Sequence, residues 1–288
     1  MTHHIDTPAG PDGSAGPDRP GGSGRPGSFE TPLDRWIRRF PPYRTAEHTL
    51  VCFPHAGGAA SYYHALSTAL DPDIELLVIQ YPGRENRLFE EPVRSLEAMA
   101  DAAARALTAH GVERPVFFGH SMGAIVAFET ARRLSRTASR PAALVASACA
   151  APSHHEARAE RLDGAGEEAD TAVLARIMGL GGTRPDVAEH EELIRLCLPA
   201  LRADFAALER YRVAPEATAP CPITVFAADD DPSLPPADAG RWGLHSAAGP
   251  VGVHVFEGDH FYFRERPGPF LELLHRTVRE AGRGVAFA

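Results

Sequence analysis

The chain has 288 residues, of which 44% are hydrophobic and 23% charged, and a formal net charge of -9. That length suits one large α/β domain with a full core, and the negative balance argues against nucleic acid as the main partner. All 29 basic side chains are arginine, which excludes lysine Schiff-base chemistry, including the anchoring of pyridoxal phosphate.

Residues 1–28 hold seven glycines and five prolines and almost no large apolar side chain. Such a segment buries too little surface to offset its chain entropy, so a disordered tail is expected there, with a single domain from residue 29 onward. Trp36, Ile37 and Phe40 form a short apolar lead-in that ends at Pro41-Pro42. Strands and helices then alternate. Thr49 to Phe53 reads as a strand and ends in Pro54-His55-Ala56-Gly57-Gly58. Ser61 to Leu70 reads as a helix, and Glu75 to Gln80 as a strand followed by the turn Tyr81-Pro82-Gly83-Arg84. Leu96 to His110 has the apolar spacing of an amphipathic helix. Val116 to Phe118 reads as a strand and Met122 to Leu134 as the helix after it. Ala142 to Ala148, Ile223 to Ala228 and Val251 to Phe256 read as further strands, and Pro269 to Ala281 as a closing helix. The alternation of helices with buried, non-alternating strands predicts a mostly parallel sheet with helices on both faces.

The stretch from Ala151 to Pro222 contains no strand pattern. A polar start from Ser153 to Asp170 is followed by helical patterns at Leu174 to Met178 and Glu191 to Leu208. It is too long for a connecting loop. A helical lid over the site, spanning about 151–221, is expected.

The run Gly119-His120-Ser121-Met122-Gly123 lies between an apolar strand and an apolar-periodic helix. A sharp strand-to-helix turn there lifts the serine oxygen clear of the sheet, and flanking glycines avoid a clash between β-carbon and backbone. The helix N-terminus then faces the oxygen that becomes negative during acyl transfer. A serine hydroxyl needs a base, and the base needs an orienting acid. In the sheet-based order the acid follows the serine and the histidine comes last. His260 fits the base, since it follows the last strand in Gly258-Asp259-His260-Phe261. His254 and His275 read as structural. The acid comes from Asp229-Asp230-Asp231, at the end of the strand Ile223 to Ala228; Asp231 is favoured and Asp229 is the reserve. The oxyanion donors are expected to be the N–H groups of Met122 and Ala56, with the glycines after Ala56 letting the loop approach a substrate carbonyl. The four cysteines, Cys52, Cys149, Cys197 and Cys221, are scattered and read as buried thiols in a reducing compartment. No run approaches 18 consecutive apolar residues and no secretory signal pattern is present, so a cytoplasmic location without membrane attachment is expected.

Taken together, these segments resemble the stand-alone type II thioesterases of polyketide and nonribosomal peptide pathways, an α/β-hydrolase family. The matching pieces are Cys52 to Gly58, Tyr81-Pro82-Gly83-Arg84, Gly119 to Gly123, Leu198-Pro199-Ala200-Leu201-Arg202-Ala203-Asp204-Phe205, Asp229 to Pro232 with Trp242, and Gly258 to Phe261. They run from about residue 49 to 263 in the family's order. The Ala227-Ala228 pair departs from the glycine the family often has before the acid, and the Gly/Pro-rich tail is not a family feature.

The resemblance implies Ser121, Asp231 and His260 as triad and Met122 and Ala56 as oxyanion residues. It implies removal of acyl groups from the phosphopantetheine arm of an acyl or peptidyl carrier protein, with no cofactor or metal, by a monomer. An apolar acyl pocket is expected between Ser121 and the lid. Carrier proteins of this kind are usually acidic, which directs attention to Arg264 and Arg266 beside His260, and less to Arg132, Arg133, Arg136 and Arg140. A general carboxylesterase or an acyltransferase would use the same serine; aspartates 29 to 31 residues before His260 favour the hydrolase order.

Overall fold

The computed structural model describes residues 31–41, 46–155, 167–180, 191–264 and 266–283, with the side chains of 167–169 and 191–193 left aside. The expected tail, 1–28, and parts of the expected lid lie outside the described residues. Seven strands form one sheet: β1 (Ile37–Arg39), β2 (His48–Phe53), β3 (Ile74–Ile79), β4 (Val116–His120), β5 (Ala143–Ser147), β6 (Ile223–Ala228) and β7 (Gly252–Phe256). Their order is β1-β3-β2-β4-β5-β6-β7, with β1 antiparallel to β3 and every other pair parallel. β4, β5 and β6 are buried at every position, as a parallel sheet covered on both faces requires.

Alternate residues feed two cores. On one face Val51, Phe53, Leu77, Phe117, Leu144 and Val225 pack with α2 (Leu96–Ala109) and α3 (Met122–Arg133). On the other, Leu50, Cys52, Val78, Phe118, Val145 and Phe226 pack with the closing helix, residues Pro267–Gly282, through Phe270, Leu274 and Val278. α2 starts at Ser95, whose hydroxyl accepts from the Ala98 N–H and satisfies one of the free donors of the first turn. The expected α/β architecture is the observed one, and strands β2 to β7 fall within two residues of the sequence reading, while the helix read at 174–178 spans Glu167–Gly179.

Two differences stand out. Ile37–Arg39 is a strand, where only an apolar lead-in was expected; it pairs Ile37 with Ile79 and Arg39 with Leu77. The expected helix Ser61 to Leu70 begins as a tighter 3-10 turn, Ala60–Tyr63, before α1 (His64–Ala69). Between β5 and β6 the described residues form α4 (Pro152–His155), α5 (Glu167–Gly179) and α6 (Glu191–Arg210); α7 (Pro236–Ala239) follows β6, and the closing helix is α8. The parallel registers align Phe53 with Gly119, His120 with Ser147, and Ala228 with Phe256. The loops at 54–58, 121, 148, 229–233 and 257–261 therefore all leave from the carboxyl ends of the parallel strands.

Candidate active site

Ser121 sits at the junction of β4 and α3 with φ 55° and ψ -124°, a left-handed conformation that L side chains seldom adopt. The turn is held by Ser121 N–H donating to the Ser147 carbonyl at 2.8 Å and Ala124 N–H donating to the Ser121 carbonyl at 2.9 Å. The flanking glycines are sterically required. A β-carbon on Gly119 would overlap the backbone of Gly123 and Ala124, and one on Gly123 would overlap the carbonyl of Phe53. The N–H of Met122 belongs to the first turn of α3, where no carbonyl one turn earlier can take it.

His260 and Asp231 come from the loops after β7 and β6 and are both buried. His260 Nδ1 lies 2.9 Å from Asp231 Oδ2. Ser233, which the sequence reading did not single out, completes this pair. Its hydroxyl donates to Asp231 Oδ1 at 2.7 Å and lies 2.9 Å from His260 Nδ1, and its backbone N–H donates to Asp231 Oδ1 at 2.8 Å. The signal in the sequence was Asp231-Pro232-Ser233, an acid two residues before a hydroxyl, which favours such a turn. Burial alone would raise the Asp231 carboxyl; the hydrogen bond and charge of His260, with the two hydrogen bonds of Ser233, outweigh it and hold the group below its ordinary range. Asp229 is engaged elsewhere, accepting from the Gly258 N–H at 2.9 Å.

Around these residues lies a cluster of rings. His120 is 5.0 Å from His260 and 5.8 Å from His55, centroid to centroid, and Phe261 packs against all three. Burial first, then the neighbouring His260, Arg84 and Arg264, push His55 down to about 3. Burial likewise holds His120 well below its ordinary value. Both rings are neutral at ordinary pH. His120 Nδ1 starts a hydrogen-bonded chain through the Ser147 hydroxyl at 3.0 Å to Tyr262 at 2.8 Å.

The loop His55–Gly58 carries Ala56. Its glycines make room for protein groups, where a substrate carbonyl was expected: Leu201 of α6 occupies the space a β-carbon on Gly57 would need, and the His55 ring that of Gly58. A cavity of about 460 Å³ opens beside Ser121 and Met122, with Leu180, Phe205 and Leu208 among its apolar walls. It is less uniformly apolar than expected, because the helices between β5 and β6 contribute His155, Arg176 and Glu209. Burial outweighs a hydrogen bond to the Leu208 backbone and lowers His155 to about 4, and its Nε2 has no partner among the described residues. A second cavity of about 650 Å³ touches Asp231 and His260 and shares Leu180, Pro232 and Pro235 with the first.

Other expected residues fall as follows. Cys52, Cys149 and Cys221 are buried free thiols, but Cys197 is exposed, because it lies on an outward position of the half-buried helix α6. Arg132 and Arg133 pair with the buried Glu129, and Arg133 also with Asp101. Arg264 lies over the Phe261 ring at 4.9 Å, and Arg266 pairs with Glu257. Among the described residues no group of three or more His, Cys, Asp or Glu side chains gathers as a metal ion would need.

A family model described as a thioesterase domain matches residues 48–278. A probable cadicidin biosynthesis thioesterase of Streptomyces griseus is 40% identical over 247 residues, which is 86% of this chain and 66% of that protein. Thioesterase PikA5 of Streptomyces venezuelae is 42% identical over 234 residues, 80% of this chain and 81% of the relative. Among solved structures, the type II thioesterase BorB from the borrelidin biosynthetic cluster is 38% identical with a TM-score of 0.71, covering 85% of this chain and 98% of that one. The resemblance first carried by Cys52–Gly58, the serine turn and the Leu198–Phe205 stretch is thereby borne out. This chain belongs to the thioesterase family, among its type II members, and has their α/β-hydrolase fold.

Proposed function

We propose that this thioesterase removes acyl groups from the phosphopantetheine arm of an acyl or peptidyl carrier protein in polyketide or nonribosomal peptide synthesis, with Ser121 as nucleophile. The observation that carries this reading is the convergence at the carboxyl ends of the parallel strands. Ser121 follows β4, and the 2.9 Å His260–Asp231 pair joins the loops after β7 and β6. A cavity lined by Ser121 and Met122 lies beside them.

Ser121 Oγ attacks the thioester carbonyl as its proton passes to His260 Nε2. Asp231 holds the ring by accepting from Nδ1–H and stabilises the imidazolium. The N–H groups of Met122 and Ala56 receive the tetrahedral oxyanion. The carbon–sulfur bond breaks and the arm's thiol leaves with the proton from His260. Water then attacks the acyl-serine, passing a proton to His260; as the ester opens, that proton returns to Ser121 and the carboxylic acid departs. No cofactor takes part in these steps.

The domain runs from residue 29, and the helices of 151–221 act as a lid, with α5 and α6 tied by an Arg202–Asp170 ion pair. Arg264 and Arg266 flank the site and are the docking residues for an acidic carrier protein. The enzyme works as a monomer in the cytoplasm, a compartment that suits its four unpaired cysteines.

The test is release of acetyl or propionyl from a phosphopantetheinylated carrier protein, followed by mass spectrometry. Wild type is expected to release the acid, and Ser121→Ala and His260→Ala to release none while remaining folded. Turnover kept by either variant removes that residue from the mechanism. Activity on simple esters without release from the carrier moves the enzyme to the general esterases.

A further inference from the structure

Asp204 lies on α6, 147 positions from Gly57, and is completely buried. Its Oδ2 accepts from the Gly57 N–H at 2.8 Å and from Arg84 Nη1 at 2.9 Å, and its Oδ1 accepts from Arg84 Nη2 at 3.0 Å. Arg84 comes from the turn after β3 and also donates to the Gly58 carbonyl at 3.1 Å. Three positions earlier on α6, on the same helix face, Leu201 covers Gly57, whose φ of 73° suits glycine. The loop is therefore gripped at Gly57 N–H and at Gly58 C=O.

The grip reaches Ala56 through the backbone. Gly58 N–H donates to the His55 carbonyl at 2.9 Å. That carbonyl and the Ala56 N–H are opposite edges of one planar peptide unit, so fixing the first aims the second. A lone carboxylate this close would oppose an oxyanion forming at Ala56. The two-pronged contact with Arg84 cancels its charge, so neither partner can be replaced alone without consequence.

We propose that Asp204 and Arg84 are the positioning pair of the oxyanion loop, so that acyl transfer at Ser121 requires α6 to be seated on that loop. This rests on the roles given above to Ser121 and Ala56. It makes one lid helix part of the catalytic geometry, beyond being a wall of the acyl pocket.

The test compares Asp204→Ala, Asp204→Asn and the double variant Arg84→Met/Asp204→Leu. The double variant removes both charges together and strands no buried ion, so it serves where a single change fails to fold. Each is assayed for kcat and KM on a propionyl thioester. Each is also assayed for affinity toward a trifluoromethyl ketone, which forms an oxyanion-bearing adduct with the serine, and toward the matching alcohol, which does not. The alanine and double variants are expected to lose about 100-fold in kcat with KM within about twofold, the loss typical of a misplaced oxyanion donor. Ketone affinity should fall in the same proportion and alcohol affinity should hold. Asp204→Asn keeps an acceptor for Gly57 but leaves the Arg84 charge without its counter-charge, so its rate should fall between those of wild type and Asp204→Ala. Near-normal kcat in the folded double variant overturns the inference and leaves the pair a structural bridge; so does a raised KM with kcat unchanged. Turnover surviving in Ser121→Ala would instead sink the serine mechanism, a distinct result.

Discussion

Ser121 occupies φ 55° and ψ -124°, a backbone state that glycine enters freely and serine only under strain. Holding it there costs on the order of 1–3 kcal/mol, which the surrounding fold sustains. Ser121→Gly is accordingly expected to stabilise the protein by about 1 kcal/mol in urea unfolding while abolishing turnover. A loss of stability would show that no strain is stored at the turn. The serine was legible because its sequence setting, strand then glycine-flanked turn then helix, leaves few alternatives. His260 was legible from its place after the last strand. Ser233 was not, because a hydroxyl in a proline-containing turn looks like ordinary loop chemistry until Asp231 and His260 are seen on either side of it. Arg84 and Asp204 stood in the sequence as matched motifs 120 positions apart, and nothing local to either says that they meet.

The strands β2 to β6 could be read directly, since burial on both faces makes each predominantly apolar without a period-two alternation. β1 escaped notice for the opposite reason. Two of its three residues are exposed arginines, and it exists only through its pairing with β3. α6 was read through Pro199, and the helix does continue across it. The amphipathic pattern on both sides outweighs one missing backbone donor. α8 covers the second core, and Leu274 within it is fully buried. Leu274→Ala removes buried methyl groups from a packed face and should destabilise the fold by about 2–5 kcal/mol. Urea unfolding with an unchanged slope checks this; a cost under about 1 kcal/mol would mean that α8 is loosely docked.

Buried neutral histidines, His55 and His120 beside the site and His155 in the cavity wall, weaken the fold in acid. His120 is fully buried and His55 is held down to about 3 against an ordinary value of 6.5. Below about pH 6.5 the unfolded chain binds protons that the folded one refuses, so stability falls as pH drops from there toward 3. His55 contributes up to about 1.4 kcal/mol per pH unit across that window, and His120 acts in the same direction. Chemical denaturation at pH 7, 6 and 5 should show a steady loss, and His55→Phe, whose ring keeps the aromatic packing, should flatten the slope by about one proton. A flat profile in the wild type would mean that both rings take up a proton in place. The sequence announced the general architecture because chain order and strand chemistry determine it. It could not announce the ion pair that joins α6 to the loops after β2 and β3. That ion pair limits how the enzyme can be rebuilt. A segment between β5 and β6 taken from an enzyme without an acid at the position of Asp204 would leave the host Arg84 buried and unpaired. Such a chimera must move the residue at 84 together with the segment, whereas a donor that keeps the Leu198–Phe205 pattern brings the matching acid with it.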